Sequence, residues 1–334
     1  MHGYGIYLLK RFAQFVLVVF IGISLTFFIT HLTPIDPVDR MVAGMTTFGQ
    51  SDPEAVEAMR EALRALYGTG APLLDQYFEY WGRMLVFDFG PSLSSFPTPV
   101  SQLIGRALPW TFGLLATCTL IAWVLGNLLG GLAGYYRNNL ALKTFGVVAM
   151  GFHPIPHYII AFLLLILFGY LWPILPISGG ASQQVERGLN LPFVLSVLKH
   201  SVLPGLAIIL ISIGSWFMGM RALVSNIVTE DYVVYAELGG VSRRRIMRSY
   251  VMRNAIAPQV TGLAMSMSGF YNAAIIIEYV FSYPGLGRLL IAGVYAGDYG
   301  LVLGVTAISI VAVSAAVFLI DVLYPLFDPR VQLS

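Results

Sequence analysis

The sequence predicts an all-α membrane protein with six transmembrane helices, and three observations carry that prediction. Hydrophobic residues fill 57% of the 334 positions, charged residues only 11%, and mean hydropathy is +0.77. Soluble domains carry roughly 25% charged residues, so apolar surface on this scale belongs in lipid. Six stretches supply the about 20 mainly apolar residues that a spanning helix needs: Phe12–His31, Thr111–Ala133, Phe145–Trp172, Leu203–Met220, Ala257–Val280 and Leu301–Ile320. Lysine and arginine are spread unevenly over the segments between them.

The first stretch follows Lys10 and Arg11 as a signal peptide would. Its apolar core is longer than a signal core, and His31–Asp36 offers no small-residue cleavage site, so a retained anchor is expected. With the N-terminus inside, segments 1–11, 134–143, 221–254 and 328–334 hold 11 basic residues in 62 positions, whereas 32–108, 173–200 and 281–300 hold 8 in 125. The positive-inside bias therefore puts both termini in the cytoplasm. The expected division is residues 1–31 as tail and first span, 32–108 as an extracytoplasmic segment, and 109–334 as a core with a cytoplasmic loop at 221–256.

Within the outer segment, Asp52-Pro53 precede Val56, Met59, Leu63 and Leu66, and Gly68 follows. An acidic cap, an early proline and a glycine stop predict an amphipathic helix. A second helix is expected over Leu74–Phe87, with Tyr77, Phe78, Tyr80 and Trp81 suited to the membrane interface. In the second span, Gly126, Gly130 and Gly134 form overlapping G-x-x-x-G steps, which predict close helix packing. In the third, His153 and His157 stand four apart as metal ligands on a helix would, but Pro154 and Pro156 spoil that geometry, so a kink is expected. No metal site is expected anywhere. Cys118 is the only cysteine, which excludes an intrachain disulfide, and its apolar surroundings suggest an inert thiol.

The chain has no G-x-x-x-x-G-K-[ST], and none of Lys10, Lys143 and Lys199 follows a glycine-rich loop. It is not expected to hold nucleotide phosphates itself, and a net charge of +2 gives no reason to expect a nucleic-acid partner. The most basic inner segment is Arg221–Asn254. Thr229–Leu238 reads as a short amphipathic helix stopped by Gly239-Gly240. Ser242 is placed to cap a second helix from Arg243 toward Pro258. A basic loop obeying the positive-inside bias is the plain reading; a helix–Gly–helix lever that docks into another protein is the sharper one.

Asp231-Tyr-Val-Val-Tyr-Ala-Glu-Leu-Gly-Gly-Val-Ser242 followed by Arg253-Asn-Ala-Ile-Ala-Pro258 resembles the EAA loop of ABC importer permeases, in the form used by the dipeptide/oligopeptide/nickel family. Ala236 and Gly240 fall on its small-residue positions and Pro258 on its closing proline; Glu237 and Gly239 depart from it. The openings Tyr7–Arg11 and His31–Pro37, then His200–Pro204, Glu278–Arg288, Asp298–Leu301 and Asp321–Arg330, resemble that family's further signatures in the same order. The long segment after the first span resembles the first, B-type, permease of such transporters.

The resemblance implies a type I importer permease fold in a prokaryotic cytoplasmic membrane. Tyr232–Gly240 would be a coupling helix seated on a cytoplasmic ATPase, with Tyr232, Tyr235, Ala236, Glu237, Gly240 and Arg245 carrying the contact. The implied partners are a second homologous permease, two ATPase subunits that bind ATP and magnesium, and an extracytoplasmic solute-binding protein. That protein would dock on the outer loops, including Tyr283, Pro284, Gly285 and Gly287. Met265, Met267, Tyr271, Asn272 and Glu278 of the fifth span are candidates for lining the path, with ordinary packing as the alternative; for Glu278, stabilising the Tyr283–Gly287 turn is the alternative. Di- or oligopeptides lead as the solute, with oligosaccharides or a nickel complex as alternatives. A gradient-driven carrier would want paired ionisable residues at mid-membrane depth, and the central parts of these spans lack them.

Overall fold

The computed structural model describes residues 2–32, 38, 39, 42, 53–67 and 71–327. Among them the secondary structure is helical apart from an isolated bridge between Pro91 and Pro99. In chain order the helices are α1 His2–His31, α2 Pro53–Tyr67, α3 Leu73–Leu85, α4 Val100–Tyr135, α5 Leu140–Phe152, α6 His157–Leu165, α7 Leu191–Ile227, α8 Asp231–Leu238, α9 Arg243–Arg245, α10 Arg253–Val280, α11 Leu286–Ala296 and α12 Tyr299–Phe327. Two π-helical segments, Ile166–Leu171 and Ile246–Met252, extend α6 and join α9 to α10.

Four helices are long and apolar enough to cross a membrane: Tyr4–His31, Val100–Tyr135, Leu191–Ile227 and Tyr299–Val322. The expected third span differs from expectation. It is two helices, Leu140–Phe152 and His157–Leu171, bent by 105°, so a broken span would make five. Pro109 and Pro204 sit inside α4 and α7 without ending them. One proline removes one donor; Pro154 and Pro156 remove two within three residues and bias the residues before them away from helix. The sixth expected stretch, Ala257–Val280, lies inside the 28-residue α10.

The chain divides into two compact units, Met1–Trp110 with Pro284–Ala315, and Thr111–Tyr283 with Ala316–Ser334. In the first, α2 forms where the apolar spacing places it. Val56 and Met59 pack against a small core of Val38, Val42 and Leu63; Asp52 and Gly68, the expected cap and stop, lie outside the described residues. Helix α3 runs alongside α1. Tyr77 stacks on Phe28 at 5.2 Å, its hydroxyl is 2.7 Å from Ser24 Oγ, and Trp81 stacks on Phe20 at 5.4 Å. The aromatic residues expected at an interface therefore face a neighbouring helix. After α3, Gly90 N–H donates to Asp88 and Arg83 Nε donates to it at 3.1 Å. The Gly90 bond and then Arg83 hold that carboxyl below its usual range, against the opposing effect of burial.

In the second unit α7 is the central helix, with Leu203, Ile208, Phe217 and Met220 essentially buried. The glycine face of α4 packs on it. A Cβ at Gly126 would lie 2.6 Å from Trp216 Cβ, one at Gly130 would strike the Phe217 carbonyl, and one at Gly134 would lie 2.8 Å from the Arg221 carbonyl. Helix α5 approaches α7 as closely, since a Cβ at Gly214 would meet the Ala149 carbonyl at 2.5 Å.

Candidate functional site

The inner end of α7 builds the candidate site from backbone outward. Thr229 Oγ1 donates to the Asn226 carbonyl at 2.7 Å and Val228 N–H to Val224, which finish α7. The Glu230 carbonyl then accepts from Val233 and Val234, at 2.9 and 3.2 Å, and starts α8. Asp231 occupies the first turn, where the helix dipole favours an anion.

One face of α8 is sealed. Val233 and Ala236 are buried with Met220 and Val224 of α7, Ile246 and Val251 of the π segment, and Ala255 of α10. The other face is open: Tyr235 is 72% exposed and Leu238 79%. Tyr232 is partly exposed, and its hydroxyl accepts from Asn254 Nδ2 at 3.1 Å. Glu237, Gly240 and Arg245 are exposed as well. Of the expected coupling residues, five thus share the surface, whereas Ala236 turns inward as packing.

The glycine pair ends α8 in a defined way. Val241 N–H donates to the Ala236 carbonyl at 3.1 Å and Gly240 N–H to Glu237 at 3.0 Å. That pattern, with Gly240 at φ +73°, is a Schellman cap. Its accompanying apolar contact is present, because Val241 packs against the same core as Ala236. Ser242 stands at the head of α9, but its side chain makes no capping bond; its carbonyl instead accepts from Arg245 and Ile246 at 2.9 and 3.0 Å. The second helix is also not uniform, since the π segment follows after one turn. Tyr135 Oη donates to the Arg243 carbonyl at 3.4 Å and Arg137 to the Ser225 carbonyl at 2.6 Å, tying the loop to α4.

At the other end of α10, Glu278 is fully buried, and its backbone carbonyl accepts from Tyr283 N–H at 2.7 Å. Phe281 accepts from Gly179 N–H at 3.0 Å, and the Tyr283 hydroxyl is 3.0 Å from Ser201 Oγ of α7. Tyr283 is 2% exposed. Gly285 and Gly287 are buried too, and Pro284 is half-buried. Of the expected docking residues, then, Tyr283, Gly285 and Gly287 turn inward. Met265, Met267, Tyr271 and Asn272 lie on α10, with their side chains outside the described residues.

Sequence reasoning missed Val233, Val251 and Ala255, the residues that seat α8. The signal was present in Val233 and Ala236, apolar and three apart on a short helix. The Asn254–Tyr232 bond had none.

The family model described as binding-protein-dependent transport system inner membrane component matches residues 126–333. The chain is 26% identical over 327 residues to the dipeptide transport system permease protein DppB of Lactococcus lactis, covering 98% of this chain and 99% of that one. It is 27% identical over 328 residues to DppB of Bacillus subtilis, covering 98% of each. A putative peptide permease protein of Brucella ovis is 30% identical over 313 residues, 93% of each chain.

Proposed function

Since the chain belongs to the family of binding-protein-dependent transport system inner membrane components, we propose that it forms half of the pore of an ATP-driven importer of di- or oligopeptides. The peptide assignment is supported by end-to-end similarity to relatives named as dipeptide permeases. On this reading six spans cross the inner membrane with both termini in the cytoplasm. A second homologous permease completes the pore, two ATPase subunits hold ATP and magnesium, and an extracytoplasmic binding protein delivers the peptide.

The observation that carries the reading is the two-sided character of α8. Its inner face is locked into the core of α7, the π segment and α10, while Tyr235 and Leu238 stand exposed. A helix held this way passes a push to two long helices as a rigid body. The apolar exposed side chains give a partner a patch to bury.

The test is reconstitution in liposomes with the second permease, the ATPases and the binding protein. Labelled dipeptide is expected to accumulate only with ATP and binding protein present. ATP hydrolysis should rise when the binding protein is loaded with peptide rather than with an oligosaccharide or a nickel complex. Uptake by the isolated chain overturns the reading.

A further inference from the structure

Helix α3 follows α1 downward from its outer end. Tyr77 meets Phe27 and Phe28, four and three residues before His31, and Trp81 stacks on Phe20, eleven before it. At 1.5 Å per residue, Trp81 lies about 16 Å below the end of α1, roughly the middle of a 30 Å hydrocarbon layer. The tip goes no shallower. Leu85 and Phe87 line an apolar cavity of about 340 Å³ together with Phe15 and Val19 of α1 and Val311 of α12. A space of that kind has no polar groups to hold water.

The sequence of α3 divides into three faces. Tyr77, Tyr80, Trp81 and Met84 point at α1 and its neighbours. Leu74, Phe78 and Leu85 fall within about 40° of one another round the helix, and they are 63%, 69% and 71% exposed. Asp75, Glu79 and Arg83, with Gly82 beside them, occupy the third face, about 120° further round. Arg83 links Glu79 at 3.9 Å to Asp88 at 3.1 Å. The chain then continues without regular structure from 88 to 99, and Phe89 and Val100 approach Gly304, five residues into α12.

An exposed apolar stripe on this helix suits lipid, whereas charges at mid-membrane cost about 2.5–3.5 kcal/mol each unless they face water or protein. Irregular backbone at that depth carries the same requirement. We propose that α3 and the 86–99 segment form a re-entrant element whose Phe78 face meets lipid. Its Glu79–Arg83–Asp88 face lines the water-filled outer mouth of the transport pathway. The element is therefore part of the wall past which a solute moves. This rests on α1 being a span of a permease, and replaces the expectation that the segment lies on the membrane surface.

The test uses the full importer in right-side-out vesicles, with Gly82→Cys and Phe78→Cys introduced singly. A Cβ at Gly82 meets nothing within 4 Å, and the native chain, whose one cysteine Cys118 is buried, supplies the blank. Both variants are first shown to co-purify with the partner subunits. A membrane-impermeant thiol reagent added outside is expected to label Gly82→Cys at least tenfold faster than Phe78→Cys. Acyl-chain-brominated lipids should quench a fluorophore at position 78 and not at 82. Trapping the complex with ATP is expected to change the Gly82→Cys labelling rate severalfold. Equal labelling at the two positions, equal quenching, or a rate indifferent to ATP each overturns the proposal. None of these readouts depends on which solute is carried, so a failed peptide assignment leaves them intact.

Discussion

Gly130 of α4 lies so close to Phe217 of α7 that any side chain there would strike the Phe217 backbone carbonyl. The carbonyl belongs to a buried helix and cannot swing aside as a long side chain can. Gly130→Leu is therefore expected to lose most folded, membrane-inserted protein, and Gly130→Ala to lower the detergent melting temperature. Gly113→Ala, on the same helix with open space at its Cβ, is the control and should be neutral or slightly stabilising. Fluorescence-detected gel filtration of the variants reads the difference.

The two faces of α8 predict opposite outcomes. Replacing Val233 by Asp buries a charge among Val224, Ile246 and Val251, and such variants are expected to misfold, because an unpaired buried charge costs several kcal/mol. Tyr235→Ala and Leu238→Ala remove only exposed surface. They should leave expression and melting unchanged while cutting peptide-stimulated ATP hydrolysis at least tenfold. Normal coupling in the double variant would mean that the ATPases engage some other surface.

Most of the helical layout was legible because lipid demands long apolar runs and the chain has little else between its loops. The break at His153–Pro156 was legible in kind and not in degree. Prolines announce a disruption, but the angle depends on what α5 and α6 pack against. Helix α3 was misplaced for a physical reason. Tyr77 and Trp81 suit an aqueous interface and a helix–helix contact equally, and only Ser24, Phe20 and Phe28, more than forty residues earlier in the chain, distinguish the two. Tyr283 was read as outward for a similar reason, since its partner Ser201 is 82 residues away. Gly240 was legible because paired glycines after a short helix have few other uses.

The Ser201–Tyr283 bond gives a test of that inward placement. Tyr283→Phe removes a buried hydrogen bond worth about 1 kcal/mol, so a small drop in melting temperature is expected. Because the ring is 2% exposed, affinity for the binding protein should not change. A loss of binding-protein affinity in Tyr283→Phe without a loss of stability would show the hydroxyl facing out.

Asp298 ties the start of α12 to the segment after α3. It is fully buried, accepts from Ser92 Oγ, from Ser94 N–H and Oγ at 3.0 Å, and caps Leu301 N–H at 3.0 Å. Asp298→Ala leaves several buried donors without an acceptor and is expected to cost about 2–3 kcal/mol. The expected readout is faster cleavage between 86 and 99 by an external protease. Asp298→Asn, which keeps one acceptor oxygen, should recover part of the loss.

Gly240 separates conformation from contact. Its φ of +73° costs an ordinary L-residue about 1–2 kcal/mol, yet a Cβ there points into open space. Asn and Asp are nearly the same size and tolerate this backbone better than other non-glycine residues. Gly240→Asn should therefore fold, insert and retain most uptake. Gly240→Asp has the same shape and adds a negative charge beside Tyr235 and Leu238. It is expected to insert normally and to abolish ATP-coupled uptake, because an ATPase groove would have to desolvate that charge on closing over α8. Equal uptake by the two variants would show that nothing closes over this end of the helix.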